Sequence, residues 1–140
     1  MTHQQASAVL NAPLAVVEAC LREVTAWPRF LVGLEEVTAT TYQRYRFKIK
    51  EGKRFREVDV AVQAHPREHR FSWRALSGPR FEGEVRLAPS DERCTRAQLS
   101  VTAEPAGFLA GFSEMLGRSD STAEVCLQQL DTLVTSRIRR

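Results

Sequence analysis

Between about Leu34 and Glu104 apolar and polar positions alternate with a period of two, and from about Gly107 to Ile138 the apolar positions return every three or four residues. The first pattern predicts half-buried strands and the second an amphipathic helix. Turn chemistry at Glu51-Gly52-Lys53, His65-Pro66-Arg67-Glu68, Ser77-Gly78-Pro79 and Pro89-Ser90-Asp91-Glu92 cuts the alternating region into strands at Val37 to Thr41, Tyr42 to Lys50, Arg54 to Ala64, Arg70 to Leu76, Phe81 to Leu87 and Thr95 to Glu104. Strands joined by such short turns form an antiparallel meander. Upstream, Ala6 to Leu10 predicts a short strand, Asn11 an N-cap, and Pro13 the first turn of a helix with Val17, Cys20, Leu21 and Val24 on one stripe. Trp27-Pro28 ends that helix, and a short helical turn from Pro28 to Leu31 precedes Gly33.

The fold class expected is therefore α+β: a curved antiparallel sheet of about seven strands around a long C-terminal helix, with two short helices after strand 1, in a single domain over residues 1–140. In that helix Phe108, Phe112, Leu116, Ala123, Leu127, Leu130 and Val134 keep one face apolar. Gly111 and Gly117 weaken it and Ser119-Asp120-Ser121 can cap a new start, so a kink is expected near Gly117, with the half before it acting as a looser lid.

Alternation also assigns faces. Tyr45, Phe47 and Ile49, then Val58, Val60 and Val62, then Phe71, Trp73 and Ala75, then Phe81, Val85 and Leu87, then Leu99, Val101 and Ala103 point at the helix. The other face carries Arg44, Arg46, Lys48, Lys50, Glu57, Asp59, Arg74, Glu82, Glu84, Arg86, Thr102 and Glu104, with opposite charges on adjacent strands. An apolar space between sheet and helix is the functional feature this pattern predicts, and small inward residues such as Ala75, Gly83 and Ala103 enlarge it.

Composition narrows the function classes. At 140 residues the chain buries enough surface to need no metal or disulfide, and hydrophobic content of 43% with charged content of 26% is ordinary for a globular protein. The N-terminal MTHQQASAVL shows no signal-peptide pattern and no apolar run reaches membrane-span length, so a cytoplasmic location without an integral membrane segment is expected. Cys20, Cys94 and Cys126 lack a C-x-x-C pair and read as free structural thiols. The formal charge of +3 with interleaved acids and bases gives no nucleic-acid signature.

Candidate chemistry is sparse. Tyr45 is the one catalytic candidate, because its hydroxyl can reach an apolar cavity and hydrogen-bond a ligand oxygen. Trp73 reads as wall, and Trp27 as a staple between the N-terminal helices and the sheet. His65 and His69 flank a proline turn without a third ligand, His3 lies in a frayed terminus, and no metal site is expected. No nucleotide, zinc-protease or serine-hydrolase motif is present, and no cofactor is expected. Glu57 or Asp59 would face inward only if the strand over residues 54–64 were out of phase by one, which Val58, Val60 and Val62 oppose.

The strand ending in Asn11-Ala12-Pro13, then Trp27-Pro28-Arg29-Phe30, the segments Trp73 to Pro79 and Gly83 to Leu87, and Thr95 to Gly107 leading into a last helix together resemble the START-like (SRPBCC) superfamily. Within it the chain is most similar to the polyketide cyclase/dehydrase and coenzyme-Q-binding branch. That resemblance covers nearly the whole chain and implies a helix-grip (START/Bet v 1-like) fold with a deep cavity, used by different members for lipids, sterols, quinones, hormones or polyketides. It also implies, for aromatase/cyclase members, a pocket arginine on the strand equivalent to Arg54–Ala64 and a tyrosine shortly after the W-P motif. Here the tyrosine position falls on Leu34 and the arginine position on Ala61 or Val62.

The leading reading is a binder or carrier of a small hydrophobic molecule, a lipid, isoprenoid or quinone, or polyketide-like ring system, with Phe30, Leu34, Tyr45, Phe47, Val60, Trp73, Phe81, Phe108, Phe112 and Leu116 lining the cavity. A cyclase/dehydrase using the same cavity and Tyr45 is the rival. An interaction module using Arg46 and Lys48 on the outer face is the third, and a homodimer stays open.

Overall fold

Alternating residues build a single antiparallel sheet because each strand has one face that must leave water. The computed structural model describes residues 2–51, 53–78, 80–103 and 122–138. Its strands are β1 (Thr2–Leu10), β2 (Leu34–Thr41), β3 (Arg44–Glu51), β4 (Arg54–His65), β5 (Arg70–Ala75), β6 (Phe81–Pro89) and β7 (Thr95–Ala103), in the spatial order β1-β7-β6-β5-β4-β3-β2. All neighbours pair antiparallel, and β2 to β7 form the expected meander. β1 pairs with the last strand, Thr2 opposite Ala103 and Leu10 opposite Thr95.

Two short helical segments follow β1: α1 (Leu14–Arg22) and a 3₁₀ segment Val24–Arg29. The second corrects the expected turn from Pro28 to Leu31. Its bonds run from Ala26 N–H to the Glu23 carbonyl at 2.9 Å and from Phe30 N–H to the Trp27 carbonyl at 3.0 Å, and Pro28, inside it, has no N–H to place. The final helix α2 (Thr122–Ile138) packs on β1, β7 and α1, burying Ala123, Cys126, Leu127, Leu130, Leu133 and Val134. The expected start near Gly107, the kink near Gly117 and the lid before it lie outside the described residues, as does Glu104.

Long-range polar contacts fix α2. Gln4 Oε1 accepts the Ala123 N–H at 3.0 Å, close to the helix start, where backbone donors lack intrahelical partners. Asp131 accepts the Asn11 backbone N–H at 2.8 Å, and the Arg137 guanidinium meets both Glu23 carboxylate oxygens, at 3.1 and 2.5 Å. Asn11 is thus not the cap of α1. That position belongs to Pro13, with no side-chain cap bond, because the charged Asp131 acceptor holds Asn11 instead. The terminus is also more ordered than expected: His3 lies in β1 and hydrogen-bonds Thr102 Oγ1 at 2.8 Å. Tyr42 and Gln43 belong to the β2–β3 turn rather than to a strand, with Gln43 at φ 58° and Tyr42 exposed.

The face assignment matches the structure. Val58, Val60 and Val62 are buried while Glu57 and Asp59 are exposed, so β4 has the expected phase. The core runs from Leu10 and Ala12 through the inner face of the sheet to α2, and all of its large members are apolar.

Candidate functional site

The concave face gathers aromatic residues from β3, β5 and β6, whose inward positions share one side of the sheet with β4 lying between β3 and β5. Phe47 (β3), Trp73 (β5) and Phe81 (β6) form its centre, with Val60 between them on β4 and Phe30 and Leu34 at the side of β2. Trp27 is driven into the middle of this group from the 3₁₀ segment. Its ring lies 6.0 Å from Phe30, 6.2 Å from Phe47 and 5.4 Å from Trp73, all near edge-to-face, and its Nε1–H donates to the Leu21 carbonyl at 3.0 Å. Phe81 extends the group, 6.3 Å from Phe47 and 6.0 Å from Trp73. Such pairs are worth about 0.5–1.5 kcal/mol each beyond the area they bury.

The candidate lining residues Phe30, Leu34, Phe47, Val60, Trp73 and Phe81 are thus brought together, and all are buried. Trp27, Phe47 and Val60 have 0% of their surface accessible, so no space large enough for water abuts them, and Trp27 is in ring contact with Phe30, Phe47 and Trp73. The candidate set omitted Trp27, although its W-P turn was the signal available. Tyr45 is half-buried against the same core, two residues along β3 from Phe47. Phe108, Phe112 and Leu116 lie outside the described residues.

Groups able to do acid–base or nucleophilic chemistry are sparse on this wall. Leu34 and Val62 are buried inward and Ala61 faces out, and none of the three carries a hydrogen-bond donor or a cation in its side chain. Burial pushes the Cys126 thiol up to about 11 and raises that of Cys20, so both stay protonated at neutral pH; Cys126 instead accepts the Val32 N–H at 3.4 Å. Among the described residues no group of His, Cys, Asp and Glu has the arrangement to hold a metal ion. His65 hydrogen-bonds Ser72 Oγ and His69 hydrogen-bonds Glu18 Oε1, each at 3.0 Å, which ties the β4–β5 turn to β5 and to α1.

The outer face is an ion-pair lattice. Arg46 reaches Asp59 at 3.4 Å, Arg70 reaches Glu84 at 3.3 Å and Glu68 at 2.9 Å, and Arg86 reaches Glu84 at 2.9 Å. An open depression of about 420 Å³ lies in this face, with Gln63, Ser72, Arg74, Glu82, Ser100 and Thr102 around it.

The family model for polyketide cyclase / dehydrase and lipid transport matches residues 1–135. The chain belongs to that family. Among solved structures it is similar to the Zhui aromatase/cyclase from Streptomyces sp. R1128, at 14% identity over 98% of this chain and 95% of that one, with a TM-score of 0.76. It is also similar to a protein of Thermus thermophilus, at 19% identity over 97% and 99% of the two chains and a TM-score of 0.74. A START superfamily protein from Mycobacterium smegmatis matches at 12% identity over 96% and 97%, with a TM-score of 0.72. At these identities the likeness is one of fold, and it makes the sheet and its C-terminal helix a helix grip. No curated protein sequence matches the chain. Among the described residues no helix is long and apolar enough to cross a membrane.

Proposed function

We propose that this family member binds a small hydrophobic ligand, a lipid, isoprenoid or polyketide-like ring system, against the concave face of its sheet, and that it carries or presents the ligand rather than transforming it. The observation that carries this reading is the chemistry of the wall: Phe30, Phe47, Trp73 and Phe81 converge with aliphatic neighbours, and among the described residues no carboxylate, imidazole, ammonium or guanidinium group is buried with them. Apolar area removed from water there contributes roughly 25 cal/mol per Å² to affinity, whereas cyclisation or dehydration needs a placed acid or base. The resemblance would put such groups at Leu34 and at Ala61 or Val62, which carry none. Because Trp27 fills the middle of the wall, the guest enters as this indole swings aside with its 3₁₀ segment.

The cyclase/dehydrase reading is favoured by one observation, the half-buried Tyr45 on the inward side of β3. One preparation tests both. Native mass spectrometry is expected to show an apolar small molecule retained, and the stripped protein to bind N-phenyl-1-naphthylamine. Protein that is empty as purified and ignores the dye refutes ligand binding. Turnover of a supplied poly-β-ketone that stops on Tyr45→Phe would replace the carrier by the enzyme.

A further inference from the structure

Two tryptophans touch on the concave face, and the fold treats their N–H groups differently. Trp27 donates to the Leu21 carbonyl at 3.0 Å. Trp73 is 2% exposed and its Nε1 has no hydrogen-bond partner. Its described ring neighbours are Trp27 at 5.4 Å and Phe81 at 6.0 Å, which present aromatic carbon and no carbonyl or hydroxyl acceptor. Tryptophan N–H groups that leave water ordinarily find a partner, and one left alone is disfavoured relative to phenylalanine in the same place.

The seat of this indole is built by the sheet. Trp73 faces Gly83 across the β5–β6 pair, and a Cβ at Gly83 would lie 2.5 Å from Trp73 Cζ2 and 2.9 Å from Cη2, as well as 2.5 Å from the Ser100 carbonyl oxygen. Only a glycine lets the ring lie this close to the strand. Cζ2 is bonded to the ring carbon that carries Nε1, so the same contact fixes the N–H edge. The other buried orphan, Arg70 Nε, differs in kind, since the guanidinium it belongs to is already held by Glu68 and Glu84 on the outer face.

We propose that Trp73 Nε1–H is the polar contact of the ligand site and donates to an oxygen acceptor on the guest. The ligand class is then an apolar ring or chain bearing a carbonyl or ether oxygen, and a pure hydrocarbon of equal shape binds less well. This rests on the ligand-binding reading above. A site with a buried donor rejects the guest that lacks the matching acceptor, because the donor stays unpaired in the complex.

The test uses two probes of nearly the same shape, 2-acetylnaphthalene and 2-isopropenylnaphthalene, which differ by C=O against C=CH₂. Wild-type protein is expected to bind the ketone about tenfold to a hundredfold more tightly. The ketone, and not the hydrocarbon, moves the assigned Trp73 indole ¹H–¹⁵N resonance downfield. Trp73→Phe is expected to bring the ketone-to-hydrocarbon affinity ratio close to one, whatever it does to the affinity for either probe. Should that variant fail to fold, the wild-type resonance and the wild-type affinity ratio decide alone. Equal binding of both probes, or an indole signal that both move alike, overturns the donor role and leaves ligand binding standing. Failure of both probes and of N-phenyl-1-naphthylamine overturns the ligand-binding reading and this inference with it.

Discussion

The two faces of the sheet are built from the same strands by neighbouring residues and obey different physics. Asp59 and Val60 are adjacent on β4, yet one meets Arg46 in water and the other is sealed beneath rings. On the inner face the stabilising quantity is area and fit, so each side chain matters in proportion to what it fills. On the outer face charges are solvated and exchangeable, and their pairing chiefly keeps that surface wet. A ligand site in this molecule is therefore sought where substitution is costly, which is the reverse of the usual search among exposed polar residues.

Trp27→Ala breaks the comparison most violently. Removing the ring that touches Phe30, Phe47 and Trp73 is expected to cost about 3–5 kcal/mol, read as a lowered urea midpoint. If Trp27 is the plug, the same variant binds N-phenyl-1-naphthylamine more readily wherever it remains folded. A sharper comparison comes from adjacent residues: Val60→Ala is expected to cost about 2 kcal/mol, and Asp59→Ala less than about 0.5 kcal/mol. Equal losses would show that the phase of β4 does not separate core from surface.

The smallest effect belongs to the clasp between the N-terminal segment and α2. The hydrogen bond and positive charge of Arg137 hold the Glu23 carboxyl below the usual carboxylate range. A lowered folded pKa means that the contribution is complete above the unfolded value and fades as pH falls through the folded one. Melting temperatures of wild type and Glu23→Gln should therefore differ slightly at neutral pH and converge in acid below the ordinary glutamate range. A gap that widens on acidification would refute the assignment.

Strand phase was legible in the sequence because burial repeats every second residue, and Val58, Val60 and Val62 leave one solution for β4. Turns marked by glycine or proline were legible, whereas the Tyr42-Gln43 turn, which has neither, was not. What escaped was whatever depends on partners far along the chain. Asn11 has the local signature of an N-cap, but a carboxylate 120 residues away takes it. His3 looks frayed until Thr102 is beside it. Within the site, the apolar wall could be read from alternation, whereas Trp27 reaches its centre from a 3₁₀ segment that no periodicity announces. The unpaired state of Trp73 Nε1 is a property of its surroundings and leaves no mark on the sequence.

The pairing of β1 with β7 bears on biogenesis. Thr2 meets Ala103 and Leu10 meets Thr95, so the first strand has no neighbour until the last has been synthesised. At ribosomal rates of about 5–20 residues per second, that edge waits roughly 5–20 s with its backbone unpaired. Its composition suits the delay: His3, Gln4, Gln5, Ala6, Ser7 and Ala8 are polar or small, so the nascent edge offers other chains little to stick to.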